Sequence, residues 1–176
     1  MGTIYIFRGI AATGKTTLSD MLAKKLSIPV FRKDDIVDAL KMTEENNKDF
    51  INNEVCYNIL YKIIQTNLYL NTDFIMDIAL GDINNAKSFF DRLDFKGNKV
   101  IKFLIICGDE NEWQKRHEER IENPKPHQVF KSFEHVAGHY KNADVRPFKN
   151  EHVIDTADNT PGKSFAEIMR IADLNA

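Results

Sequence analysis

Eight residues near the start of the chain, Gly9-Ile10-Ala11-Ala12-Thr13-Gly14-Lys15-Thr16, have the spacing G-x-x-x-x-G-K-[ST]. That spacing suits one task, the holding of a polyphosphate. Successive backbone N–H groups wrap an anion, and the helix that follows adds the positive end of its dipole. The two glycines admit backbone angles and close approaches that a Cβ would block. Gly9, Ala12, Thr13, Gly14, Lys15, Thr16 and Thr17 are therefore the candidate nucleotide contacts. Lys15 would reach the β- and γ-phosphates, and the Thr16 hydroxyl would sit on Mg²⁺.

Three further polar clusters carry candidate chemistry. Arg32-Lys33-Asp34-Asp35 offers a carboxylate able to take the proton of an acceptor hydroxyl, with Asp34 the candidate base and Asp35 capping the next helix. Arg32 and Asp35 are also candidate acceptor contacts. Asp77 closes an apolar run; it could hold Mg²⁺ through water, bind the acceptor, or simply order the loop that follows. Arg116 and Arg120, at i and i+4, share a helix face and could clamp transferring phosphates. Glu112, Glu118, Glu119 and Glu122 fit the competing picture of a solvated salt-bridge face.

Strands alternating with helices must position these groups. Thr3 to Phe7 is β-branched and aromatic, and Leu18, Met21, Leu22 and Leu26 recur at helical spacing over residues 15–26. Pro29-Val30-Phe31 predicts a short second strand, and Ile36, Val37 and Leu40 a helix capped by Asp34 or Asp35. Thr43 to Asp49 is a loop. A long helix carries Ile51, Val55, Ile59 and Ile63 in one row and Leu60, Ile64 and Leu68 in the next; these rows could face a core or a twin subunit. Phe74 to Asp77 is a third strand, residues 82–93 a helix, and Lys99 to Cys107 a fourth strand. Asp109 and Glu112 have capping-box spacing for a helix through Ile121. Asn123 to His127, with two prolines, is a short lid beside the arginines, within residues 120–130. Residues 128–141 resume as helix, 152–155 form a fifth strand, and 164–174 a last helix. This alternation predicts an α/β fold whose parallel sheet is covered on both faces, with ligands beyond the carboxyl ends of its strands.

With 176 residues, 43% hydrophobic and 28% charged, the chain has the size and composition of one globular domain over residues 1–176. Its 24 basic and 26 acidic residues balance to −2, which advertises neither a nucleic-acid nor a membrane surface. Cys56 and Cys107 have no metal or redox spacing. With no signal peptide and no membrane-length apolar run, the expected setting is the cytoplasm. His117, His127, His135, His139 and His152 form no metal-ligand grouping and read as solvated or packed. Trp113 reads as packing. No aromatic platform for nucleic acid emerges.

The order of these pieces, the glycine loop, R-K-D-D-I, F-I-M-D-I-A-L, then K-R-H-E-E-R before a lid, resembles the small P-loop kinases. These include the AAA-domain kinases, polynucleotide 5′-kinases, zeta-toxin-like kinases and chloramphenicol phosphotransferases. The resemblance runs from about residue 3 to 155. It implies a P-loop NTPase fold, a three-layer α/β/α sandwich with five parallel strands in the order 2-3-1-4-5. It also implies ATP and Mg²⁺, Asp34 as base, Arg116 and Arg120 on the phosphates, and Thr156 to Pro161 near the adenine. One position departs. Polynucleotide kinases are similar in carrying an arginine three residues after the base, which grips a substrate phosphate, and here that position is Val37.

The expected activity is transfer of the γ-phosphoryl of ATP to a hydroxyl of a small molecule by a monomer or homodimer. A nucleoside, a nucleotide or a nucleic-acid 5′-hydroxyl are alternative acceptors. The alternative outside catalysis is a nucleotide-dependent switch. A guanine switch should show D-x-x-G and N-K-x-D; Asp77 to Gly81 has one residue too many, and Asn47-Lys48-Asp49-Phe50 lacks the final aspartate.

Overall fold

The computed structural model describes residues 1–42, 53–124 and 127–174. The predicted loop at 43–49 and Ile51 lie outside these residues, as does part of the predicted lid. The elements are β1 (Thr3–Arg8), α1 (Lys15–Leu26), β2 (Val30–Arg32), α2 (Lys33–Lys41), α3 (Asn53–Tyr69) and β3 (Phe74–Ile78). They continue as α4 (Ile83–Phe90), β4 (Lys99–Ile106), α5 (Glu110–Glu122), α6 (Phe133–Tyr140), β5 (Glu151–Asp155) and α7 (Pro161–Ile171). The five strands pair in parallel in the order β2-β3-β1-β4-β5. This is the α/β P-loop architecture that the resemblance implies.

Strand periodicity explains the two cores. Side chains alternate across a strand, so Ile4 and Ile6 of β1 enter one core while Tyr5 and Phe7 enter the other. The first core takes Leu60, Ile64 and Leu68 of α3 and Ala86, Phe89 and Phe90 of α4. The second takes Leu18 and Leu22 of α1 and Ile168 of α7. The same alternation sends Asp77, two residues beyond Ile75, to the α1 face. Of the two predicted rows on the long helix, the one with Leu60, Ile64 and Leu68 is buried, whereas Ile59 and Ile63 are 37% and 36% exposed.

Several boundaries differ from expectation, each for a physical reason. Arg32 ends β2 and is itself the cap of α2, with no capping hydrogen bond from a side chain. The expected cap by Asp35 or Asp34 is therefore corrected. Strand runs directly into helix, and both carboxylates fall inside the first turn, where they meet the helix dipole. Helix α6 begins at Phe133 rather than 128, because the Ser132 hydroxyl accepts from His135 N–H and starts it there. Helix α7 begins earlier than predicted, at Pro161, capped by Thr160. Asp109 does cap α5, accepting from Glu112 N–H at 2.8 Å.

One buried contact had no signal in the sequence. The Arg8 guanidinium, at 0% exposure, pairs with Glu151 through two hydrogen bonds of 2.7 and 2.6 Å. It also donates to the carbonyls of Leu80, Gly81 and Arg146. Every donor group of the fork finds an acceptor, which is the condition for burying such a charge. The pair ties the end of β1 to β5 and to the loop after β3, on the rim of the site.

Candidate functional site

The loop between β1 and α1 has the backbone a phosphate cradle needs. Gly9 has φ +150° and lies so close to β4 that a Cβ would sit 2.2 Å from the Ile105 carbonyl oxygen. Gly14, the residue before α1, has φ +90°. Ala12 takes φ +61° without being glycine, a strained angle that fits a functional turn. Trp113 of α5 donates its indole N–H to the Ala11 carbonyl at 2.8 Å. A residue expected only to pack thus also braces the loop. Thr156, just after β5, donates to the Thr13 carbonyl at 2.9 Å, so the start of the loop after β5 is tied to the glycine loop.

Beyond the carboxyl ends of the strands opens a cavity of about 780 Å³. Lys15 and Thr16 line it from the glycine loop, Asp34 and Val37 from α2, Asp77 from β3 and Arg120 from α5. Lys15 Nζ donates to the Ile10 carbonyl at 2.6 Å. Burial holds its pKa below the usual lysine value, Asp77 and Asp34 pull it back up, and Arg120 pushes it down. These four groups therefore share one electrostatic neighbourhood.

The other predicted residues divide. Asp77 is 6% exposed, and its Oδ2 accepts from Ser19 at 3.1 Å and from Arg32 Nε at 3.2 Å. Arg32 also pairs with Asp20 and, at 3.8 Å, with Asp35. Arg32 lines the cavity but is held by three carboxylates, and exposed Asp35 is its outermost partner. Arg116 and Arg120 point to different places. Arg116 donates to Glu112 at 2.8 Å and to both the hydroxyl and the carbonyl of Thr156 at 2.7 Å, bracing the loop after β5. Arg120 faces the cavity. Thr17 is exposed, at the first turn of α1.

Four of the five histidines, His117, His127, His135 and His139, also line the cavity. His117 is 2% exposed, and burial first and Arg120 second hold its pKa below the ordinary value. His127 stands between two carboxylates of α2, Asp34 and Asp38. Scattered over some twenty residues, these histidines have no spacing that would mark them; the turn between α5 and α6 brings them together.

The family model described as AAA domain matches residues 4–138. The chain belongs to this AAA-domain family. Membership bears out the resemblance to small P-loop kinases drawn from the motifs. Among solved structures, the AAA-domain chain is similar to a candidate kinase from Chloroflexus aurantiacus, at a TM-score of 0.75 and 19% identity over 96% of this chain and 97% of that one. It is also similar to a gluconokinase from Sinorhizobium meliloti 1021, at 0.64 and 11% over 98% and 93%. A third is the Mycobacterium tuberculosis APS kinase in complex with AMPPNP and APS, at 0.66 and 9% over 98% of both chains. No curated protein matches. Among the described residues, no helix is long and apolar enough to cross a membrane.

Proposed function

We propose that the protein transfers the γ-phosphoryl group of ATP to a hydroxyl of a small molecule. One observation carries this reading: a single cavity has Lys15 and Thr16 at its glycine-loop wall, Asp34 on α2 and Arg120 on α5. A glycine loop alone would serve a switch. A carboxylate and a guanidinium facing it, with room for a second molecule, suit a transfer reaction. The fold neighbours, a gluconokinase and an APS kinase among them, are enzymes of that class.

The residues present fit a nucleotide tail. The close approach of Gly9 to β4 and the positive φ at Gly14 form a cradle that Cβ atoms would fill. Backbone N–H groups from Ala12 to Thr17 would bind the phosphates, with Lys15 supplying positive charge. Mg²⁺, held by the Thr16 hydroxyl and reached through water by Asp77, would neutralise charge on the phosphates. Asp77 itself is oriented by Ser19 and Arg32. Arg120 would close over the transferring group while Asp34 orients the acceptor hydroxyl and takes its proton. Arg116 supports the loop after β5 rather than reaching the phosphates. Most of the acceleration in such a site comes from positioning and electrostatics.

Val37 in place of a phosphate-gripping arginine, together with near-neutral net charge, favours a small acceptor over a nucleic-acid end. The test is ADP release from ATP and Mg²⁺, alone and with pooled metabolites. Acceptor-dependent release supports a kinase; strong hydrolysis that no pool stimulates, or no ATP binding, overturns it.

A further inference from the structure

A base that accepts a proton at every turnover must hand it on. We propose that His127 takes the proton from Asp34, with Asp38 holding the imidazole in place as a positioning residue. This rests on the kinase reading above. Asp34 and Asp38 lie one turn apart on α2, and His127 meets both from the segment before α6. Its Nδ1 is 2.8 Å from Asp38 Oδ2, and its Nε2 is 3.5 Å from Asp34 Oδ2. The imidazole is 14% exposed.

The tautomer follows from the partners. An ionised carboxylate only accepts, so Nδ1 carries the hydrogen and donates to Asp38. In the neutral ring Nε2 then presents a lone pair to an Asp34 oxygen. Two acceptors facing each other are unfavourable, and one proton placed between them removes the conflict. During transfer the O–H bond of the acceptor breaks as its oxygen bonds to phosphorus. The proton goes to Asp34 and passes to His127 Nε2, regenerating the carboxylate. The imidazolium then lies between two carboxylates and loses its proton to water before the next turnover. No further reactant is needed.

The sign of the pH dependence follows. When His127 is already protonated in acid, Nε2 has no lone pair with which to take the proton from Asp34. Turnover therefore falls as the solution is made acidic enough to protonate the ring. The other ionisable side chains around the cavity are Lys15 on α1, Arg32 on β2, Lys33 on α2, Glu54 and Tyr57 on α3, Asp77 on β3, Arg92 just after α4, His117 and Arg120 on α5, and His135, His139 and Tyr140 on α6. Burial first, then Asp34 among the charges, raises the Tyr57 phenol, and burial raises Tyr140, so neither phenol competes for this role.

The test uses the whole chain labelled with ¹⁵N-histidine, with His127→Gln assigning the signals. The expected spectrum at high pH is the Nδ1–H tautomer, and Asp34→Asn moves the His127 Nε2 signal, which faces the Asp34 carboxylate. In parallel, turnover of Mg·ATP with water as acceptor is followed against pH. His127→Gln should lower kcat about tenfold with KM for ATP within about twofold, and should flatten the acid limb. An Nε2–H tautomer, an Nε2 signal indifferent to Asp34→Asn, or a His127→Gln profile parallel to wild type overturns the relay. Wild-type protein that turns over no ATP with water or with any hydroxyl compound overturns the kinase reading and the relay with it; the spectra distinguish that failure from a mistaken proton pair.

Discussion

Replacing Glu151 by Gln leaves the charge of the Arg8 guanidinium without its counter-ion in a place closed to solvent. Both side chains are at 0% exposure, and the substitution keeps shape while removing the charge that two of the guanidinium's hydrogen bonds meet. Breaking a buried pair by removing one partner costs about 3–5 kcal/mol. Three backbone carbonyls remain on Arg8, which argues for the lower part of that range. For a chain of this length, each kcal/mol lowers the melting temperature by about 2–4 °C, so a fall of roughly 10 °C is expected. The contrast is Lys87–Asp91, an ion pair whose side chains are 65% and 61% exposed. Its loss should cost about 0–1 kcal/mol. Thermal unfolding of Glu151→Gln, Lys87→Gln and the double variant Arg8→Met/Glu151→Leu checks this. The double variant should recover most of the loss, since no charge is then stranded. A Glu151→Gln fall no larger than that of Lys87→Gln would refute the reasoning.

Other consequences can be checked alongside. Asp34→Asn should lower kcat at least 100-fold with nucleotide affinity nearly unchanged, an estimate of roughly two orders of magnitude for lost general-base action, whereas exposed Asp35→Asn should stay within about twofold; steady-state kinetics and ATP titration decide, and the reverse pattern would move the base to Asp35. Gly9→Ala drives a Cβ to 2.2 Å from the Ile105 carbonyl, so ATP affinity by calorimetry should fall together with stability. Asp82 accepts from Asn84, Asn85 and Asp144 N–H groups, and Asp82→Ala should cost about 1 kcal/mol in urea unfolding. The Asn85 and Asp144 hydrogen bonds hold its carboxyl below the usual value, so its contribution is present at neutral pH. It should disappear only as pH falls through that lowered value, and the Asp82→Ala difference should vanish in strong acid.

The strands and the glycine loop were legible because they rest on local signals, whereas the sheet order came only through the resemblance those motifs carry. Ile4 to Phe7 alternate between two cores, and Gly9, Gly14 and Lys15 keep a spacing that only one loop geometry uses well. The start of α2 was misread because an aspartate beside a helix usually marks its cap, whereas here Arg32 ends the strand and caps at once. Helical spacing put Arg116 and Arg120 on one face. Thr156, 40 residues away, draws Arg116 aside. Contacts between distant residues explain the rest. Arg8 meets Glu151 across 143 positions, and His127 meets Asp38 across 89; neither has a neighbour that would betray its partner. Ile59 and Ile63 share the spacing of a core row, but α3 turns them outward because Leu60, Ile64 and Leu68 already fill the sheet face.

The most direct measurement is a crystal structure with Mg²⁺ and an unreactive ATP analogue. The triphosphate should lie along residues 9–17, with Lys15 on its outer phosphates and an Asp34 oxygen across the cavity from the γ-phosphate, near enough for one hydroxyl to stand between. A triphosphate bound elsewhere, or an Asp34 turned out of the cavity with the γ-phosphate facing only solvent, would contradict the proposed transfer.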